Sequence, residues 1–543
     1  MNQLYTKRVF LLLLGLAIMA LSSCKKLLEK EPTDFVQPQN YFNSEADLNL
    51  ALAGVYDPLG SEYLYASGLW FQFGNCTDES FYPNSANAFA APMFYQYDYT
   101  NSYVSGLWEQ CYIGIERANL LIENVSKPVM DEKRRQAILG EALFLRGFYH
   151  FMLVSNYGDV PLKLASTKSV NVVEIPRTPS AQVYAQVLKD MQDAELKVNK
   201  ASTIGNSSRI SQTTVEGMLA RVCLYMAGNP LNDKAKYADA LTWAQKVVNS
   251  GENALLTTPN LTYTNSPYSQ IFINEAQDVY DVKECMWEAD FNMFGNNTAF
   301  SEGGRLGTYG IACNNLDTGY ASSNVRTTIK LYNLYQAADR RRDWAIAPFT
   351  YTSTTTSATR VPYAATAVIN RACGKWRRSF EPLSSPKQQF KSGQNFPILR
   401  YADVLLMLAE AENEVNGPTA TAYNAINSVR RRGYALPVNV ASAVADLAPG
   451  LSKNSFRQAI MDERARELCF EALRKPDLIR WGVFTQVMSA TAAEINGSNA
   501  TATNKALWSL GYNTAASSSR YLLLPIPALE INVNRAMTQN PGW

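Results

Sequence analysis

The sequence predicts an all-α protein, a TPR-like scaffold of helical hairpins with long irregular loops and minor β structure. Three observations carry this. Apolar residues recur at i, i+3, i+4 and i+7 through most readable segments, as one buried helical face requires. Two helix–turn–helix units, 215–248 and 398–431, each span 34 residues, the period of a tetratricopeptide hairpin. Stretches rich in Asn, Thr, Ser, Gly and Pro, 251–330 and 345–396, show no helical period.

The chain opens with a positive Lys7-Arg8, an apolar run from Val9 to Leu21, and Leu21-Ser22-Ser23-Cys24. A run this short with that flank is a signal peptide, residues 1–23. The four residues closing it look like a lipobox, in which the Cys24 thiol is acylated. One acyl chain anchors marginally and two or more anchor firmly. No later apolar run is read as a bilayer span.

Residues 24–543 are read as one domain. Its N-terminal helical part is 24–250, its loop-rich insertion 251–396 and its C-terminal part 397–543. From Val104, the positions Leu107, Trp108, Cys111, Tyr112, Ile115, Ala118 and Ile122 make one helical face. Ile138 to Val154 is apolar nearly all round, as a helix buried on several sides should be. It stops at Asn156-Tyr157-Gly158-Asp159-Val160-Pro161, where proline cannot continue a helix. Val183, Val187, Met191 and Ala194 form another stripe. Val215, Met218, Leu219, Val222 and Met226 precede a Gly228-Asn229-Pro230 turn and a partner helix at Tyr237, Ala240, Leu241, Ala244 and Val247. Ile398 to Val415 repeats the theme, broken at Asn416-Gly417-Pro418 before Ala422, Tyr423, Ile426 and Val429. Residues 351–369 alternate in a way that suits short strands or ordered loop. Residues 490–520 show no lasting period and are read as loop.

Composition excludes much chemistry. Residues 1–23 hold Lys7 and Arg8 and no acid, so their removal takes the formal charge from +2 to 0. A neutral chain gives no electrostatic footprint for nucleic acid. His150 is the only histidine. It lies in Phe148-Tyr149-His150-Phe151-Met152 and is read as a packed core residue. Triads and most zinc or iron sites would need it. The seven cysteines after Cys24 are scattered, odd in number and never spaced CxxC. No metal site, cofactor or dense disulfide framework is expected. The cluster Glu463, Arg464, Arg466, Glu467, Glu471 and Arg474 places opposite charges at helical spacing, so mutual ion pairing is expected. Glycoside hydrolysis needs two carboxylates facing across a cleft. The same pairing is expected within Glu141–Arg146 and Arg400–Asp403.

Ordered motifs run along the whole mature chain. They include Arg117-Ala118-Asn119, Gly140-Glu141-Ala142-Leu143-Phe144-Leu145-Arg146, and Tyr157-Gly158-Asp159-Val160-Pro161-Leu162. Further on come Arg400-Tyr401-Ala402-Asp403-Val404-Leu405-Leu406, then Asn427, Val429, Arg430 and Arg432, then Glu463-Arg464 with Glu467-Leu468 and Phe470-Glu471. Arg480-Trp481-Gly482, Leu524-Pro525-Ile526-Pro527 and the terminal Gln539-Asn540-Pro541-Gly542-Trp543 complete the set. In order and spacing the chain resembles the SusD/RagB family of bacterial outer-membrane nutrient-uptake lipoproteins. Ala472 departs from it where glycine is usual, and Arg340 where proline is usual. Lys25-Lys26 stand where exported lipoproteins often carry acids. The resemblance implies a non-enzymatic receptor, lipid-anchored outside the outer membrane. It would deliver a glycan to a SusC-like TonB-dependent transporter. A peptide-binding RagB-like receptor and a surface glycoside hydrolase are the alternatives.

Aromatics point to where ligand would sit. From Tyr56 to Tyr103, 14 of 48 residues are Phe, Trp or Tyr, against 11% overall. Sugar rings stack their C–H faces on aromatic planes, while amides and charged groups bind hydroxyls. The candidate ligand residues are Trp70, Phe71, Asn75, Asp78, Tyr82, Tyr95 and Tyr97 in the first segment. Arg305, Tyr309, Asn314 and Tyr320, with Phe294, complete the set from the second. Trp70, Tyr82, Tyr95 and Tyr309 are the expected platforms. The alternative is that half the cluster staples loop to scaffold or meets the transporter.

Overall fold

A computed structural model describes residues 41–543 apart from 170, 172, 292–302 and 383–386. The signal peptide, Cys24 and Phe294 lie outside the described residues.

Helices dominate. α1 (Glu45–Tyr56) starts in a capping box in which the Ser44 side chain accepts from Asp47 N and the Asp47 carboxylate accepts from Ser44 N. This reciprocal arrangement satisfies two amides left open at a helix start. α2 (Ser102–Asn124) and α3 (Glu132–Tyr157) follow, capped by Asn101 and Asp131. By length and composition α3 could cross a membrane, yet 94% of its apolar window is buried inside the protein. It is the central core helix, packed against α1, α2 and α4 (Ser180–Glu195).

α5 (Gln212–Ala227) and α6 (Lys236–Ser250) form the next hairpin. α8 (Tyr401–Asn416) and α9 (Ala420–Gly433) form another, turning at Gly417 with φ 84° and capped by Thr419. α6 packs directly on α8. The helical array is therefore continuous across the intervening 150 or so residues, an all-α, TPR-like scaffold. The insertion is gripped at its base. β2 (Cys285–Ala289) pairs antiparallel with β6 (Phe396–Arg400), which runs straight into α8. β1 (Ser80–Phe81), from the N-terminal part, pairs with β3 (Arg326–Thr327) of the insertion, and within the insertion β4 (Phe349–Ser353) pairs with β5 (Ala358–Pro362) in an exposed hairpin.

Two segments read as loop are helical. α7 (Pro267–Ala276) has Ser266 as cap, proline at its start and a buried face of Tyr268, Ile271 and Phe272. α12 (Phe484–Gly497) and α13 (Ala502–Ala516) occupy 484–516, capped in part by Thr501. Their apolar positions are sparse, but alanine is the best helix former and the two helices cover each other.

Buried charge joins insertion to array. α10 (Lys453–Leu468) and α11 (Arg474–Arg480) carry the acidic and basic cluster. Its charges are paired, but mostly between elements. Glu467 meets Arg341, Arg400 and Arg432, all without solvent exposure. Glu471 takes Arg400 and Lys375, and Arg464 takes Asp403 and Asp477. Glu463 to Arg466 is the one pair within α10. Glu141 pairs with Arg209 instead of Arg146, which takes Asp190. Asp403 takes Arg221 as well as Arg464, and not Arg400. Two packed helices bring opposite charges closer than one helix can, with bidentate geometry.

His150 is fully buried, its Nδ1 3.0 Å from Arg146 O. Burial, which disfavours the charged ring, pushes it down to about 3. The cysteines from Cys76 to Cys469 are all free and buried.

Candidate functional site

The two aromatic segments meet. Arg305 N donates to Ala66 O at 3.0 Å, Asn75 Nδ2 to Asn324 O at 3.3 Å and Asn84 Nδ2 to Asn324 Oδ1 at 2.8 Å. The chain between 61 and 73 coils tightly. At Gly68 a Cβ would fall 2.1 Å from Tyr63 O, so only glycine permits that approach.

The expected platforms lie inside. Trp70, Phe71, Tyr82, Tyr95, Tyr97 and Tyr309 are at most 7% exposed. Phe71 stacks on Tyr309 with centroids 3.7 Å apart, and Trp70 packs on Tyr309 and Trp376. Tyr82 is edge-on to Phe94, and Tyr95 donates its hydroxyl to Cys76 O. Tyr97 stacks on the terminal Trp543. These rings hold a long loop to the scaffold, because each gains more from a second ring than from water. Asp78 is buried too, with Arg474 and Lys330 at 2.7 Å. Those cations outweigh its burial and hold its carboxyl well below the usual carboxylate range. Asn75 is spent on backbone. In this arrangement none of these eight offers a free face or charge to a ligand.

Of the remaining members, Arg305 and Tyr320 are half-buried and Asn314 is exposed. Arg305 Nη2 lies 3.2 Å from Glu62, Asn314 N donates to Ser353 Oγ, and Tyr320 is edge-on to Phe390. Phe89 and Phe390 are among the exposed rings that sequence reasoning missed. Phe89 is 39% exposed and 5.9 Å from Phe71, resting on the Phe71–Tyr309 stack. Phe390 is 53% exposed. Each stands alone among polar or small residues, Asn84-Ser85-Ala86-Asn87-Ala88 and Gln388-Gln389, and that isolation was the available signal. The surface thus presents a backed aromatic ring with the amides of Asn84 and Asn324 in the same joined segments. A separate cleft of about 950 Å³ lies beside α1, where Arg117 and Arg209 are already taken by Asp57 and Glu141.

Comparison with known proteins bears on this architecture. The sequence profile described as "SusD family" matches residues 283–543, and that described as "Starch-binding associating with outer membrane" matches residues 26–224. SusD-like protein P2 of Formosa agariphila is 26% identical over 545 residues, 97% of this chain and 98% of the relative. A solved SusD homologue from Bacteroides thetaiotaomicron superposes with a TM-score of 0.85 at 29% identity, covering 93% of this chain and 98% of that one. Surface glycan-binding protein A from Bacteroides thetaiotaomicron shares the fold, with a TM-score of 0.69 at 20% identity over 92% of this chain and 100% of that one. With profiles matching both halves and the fold shared from end to end, the chain belongs to the SusD family.

Proposed function

We propose that this protein captures an oligo- or polysaccharide at the cell surface and passes it to a SusC-like TonB-dependent outer-membrane transporter, without itself cutting it. Cys24 would carry the lipid that holds it on the outer membrane, facing outward. The observation that carries the reading is Phe89, an exposed ring backed by the rigid Phe71–Tyr309 stack. A supported ring loses little entropy when a sugar face stacks on it. Asn84 and Asn324 bring amides suited to hydroxyls. Relatives of the same fold include a laminarin-binding SusD-like protein and surface glycan-binding proteins. The carboxylates of the 463–480 cluster, Glu463, Glu467, Glu471 and Asp477, are committed to arginines, which supports binding without turnover.

The test is a glycan and peptide array probed with residues 25–543, with analysis for released reducing ends. Saturable glycan binding without product is expected. Binding to peptides alone, or sustained release of fragments abolished by one Asp or Glu substitution, would overturn the reading.

A further inference from the structure

The stretch 326–378 carries ten basic residues and two acidic ones, in a chain of net charge +2. Five of the ten have carboxylate partners: Lys330 with Asp78, Arg341 with Glu463, Arg342 with Asp343, Lys375 with Glu471 and Arg378 with Glu381. The other five are Arg326, Arg340, Arg360, Arg371 and Arg377, which form no ion pair among the described residues.

Two of these converge. Arg360 stands on the exposed strand β5, and its guanidinium carbon is 4.7 Å from the centre of the Phe349 ring. Arg377 lies 5.5 Å from the same ring and 3.9 Å from that of Trp344. Its donors reach only carbonyl oxygens, those of Gly374, Asp343 and Trp344. Rings extend the patch on either side. Tyr351 is edge-on to Phe349, and Trp344 leads through Phe380 to Tyr263, which is 44% exposed. The hairpin's Ser353 and Thr355 accept from Asn314 and Asn315, so the patch adjoins the 303–328 segment.

Each cation gains from a ring face. Two cations on one ring repel, and the Asp343 carboxylate, itself paired with Arg342, relieves that only in part. Burial, and then Arg360 itself, push Arg377 down to about 9, which leaves it charged at neutral pH. An anion placed between the two guanidiniums would neutralise both, with forked geometry that suits carboxylate and sulfate alike. The neighbouring rings supply stacking faces for the sugar that carries it.

We infer that the glycan taken by this protein is acidic, and that Arg360 and Arg377 bind its carboxylate or sulfate groups beside Phe349. The inference rests on the glycan-capture reading and narrows it.

The experiment is calorimetric titration of residues 25–543 against matched pairs: polygalacturonate and its methyl ester, and sulfated galactan and its desulfated form. Binding to the charged member of at least one pair is expected, with about tenfold loss on esterification or desulfation and a similar loss between 50 and 500 mM salt. The pair that responds tells carboxylate from sulfate. Arg360→Gln, at an exposed position, is expected to weaken the charged ligand about tenfold without changing the melting temperature. Arg377→Gln serves as the second variant, scored only if its melting curve is retained. Binding confined to neutral members overturns the acidic-glycan inference and leaves glycan capture standing. Charged-glycan binding unchanged in Arg360→Gln, or binding to anionic vesicles in its place, also overturns the inference. Failure of every member overturns both.

Discussion

Phe71 and Tyr309 lie face to face, their ring centroids 3.7 Å apart and their planes 13° from parallel. They come from two irregular segments with helices α2 to α7 between them in sequence. The stack is the joint between those segments, and Phe89, packed against Phe71, is the ring beside it that water reaches.

Phe89→Ala and Phe71→Ala should therefore separate binding from stability. Removing an exposed stacking ring at a binding centre costs about 2 kcal/mol of affinity, roughly thirtyfold, with little change in melting. Removing the fully buried Phe71 should cost about 3–5 kcal/mol of stability. Titration against the cognate glycan and urea unfolding of both variants check this. Wild-type affinity in folded Phe89→Ala would move the site elsewhere.

Glu467→Ala should be among the most damaging single changes. It leaves Arg341, Arg400 and Arg432 short of the carboxylate they share in a region without solvent. Breaking a buried pair from one side costs about 3–5 kcal/mol. A denaturant midpoint near that of wild type would show that the network is dispensable.

Glu79 predicts a pH dependence. Burial, only partly opposed by Arg474, raises its carboxyl to about 8, against 4.5 as its ordinary value. The folded state then holds a proton that the unfolded chain releases. Its contribution is present in full below pH 4.5 and is lost as pH rises towards 8. Glu79→Gln fixes the neutral form, so its stability should fall less than that of wild type between pH 5 and 8. Parallel curves for the two proteins in that window would refute the assignment.

Ala472 holds a left-handed φ of 60°, the conformation that glycine adopts most readily. A Cβ is disfavoured in that region by about 1–2 kcal/mol, against about 0.5–1 kcal/mol of entropy lost by glycine. Ala472→Gly should raise the stability slightly, by about 0.5–1 kcal/mol, in chemical denaturation.

Cys24→Ala should move the protein from the membrane to the soluble fraction in cells lacking its transporter. Continued sedimentation with membranes would rule out the lipid anchor.

The sequence made the scaffold legible wherever one helical face was continuously apolar, as in Leu107 to Ile122 or Val215 to Met226. It hid α12 and α13, whose cores rest on widely spaced residues such as Ile495, Trp508 and Tyr512 amid Ala and Thr. It located the aromatic segments that meet, but not which rings face water. Exposure of Phe71 was decided by Tyr309, and that of Tyr97 by Trp543, each a partner far along the chain. Likewise helical spacing revealed that the 463–474 charges would be paired and misjudged with whom, because the partners lie on other helices.

Loops are commonly treated as cargo on a frame that would stand without them. Here Arg341 and Lys375 reach from the insertion into the acids of the helical array and meet Glu463, Glu467 and Glu471 out of solvent. Cutting the insertion away would take one buried counter-charge from each of those carboxylates, leaving Glu463 to Arg430 and Arg466, Glu467 to Arg400 and Arg432, and Glu471 to Arg400. The frame is thus completed in part by the segment it displays, and a change at Arg341 or Lys375 would be felt in the helical array as well as in the insertion.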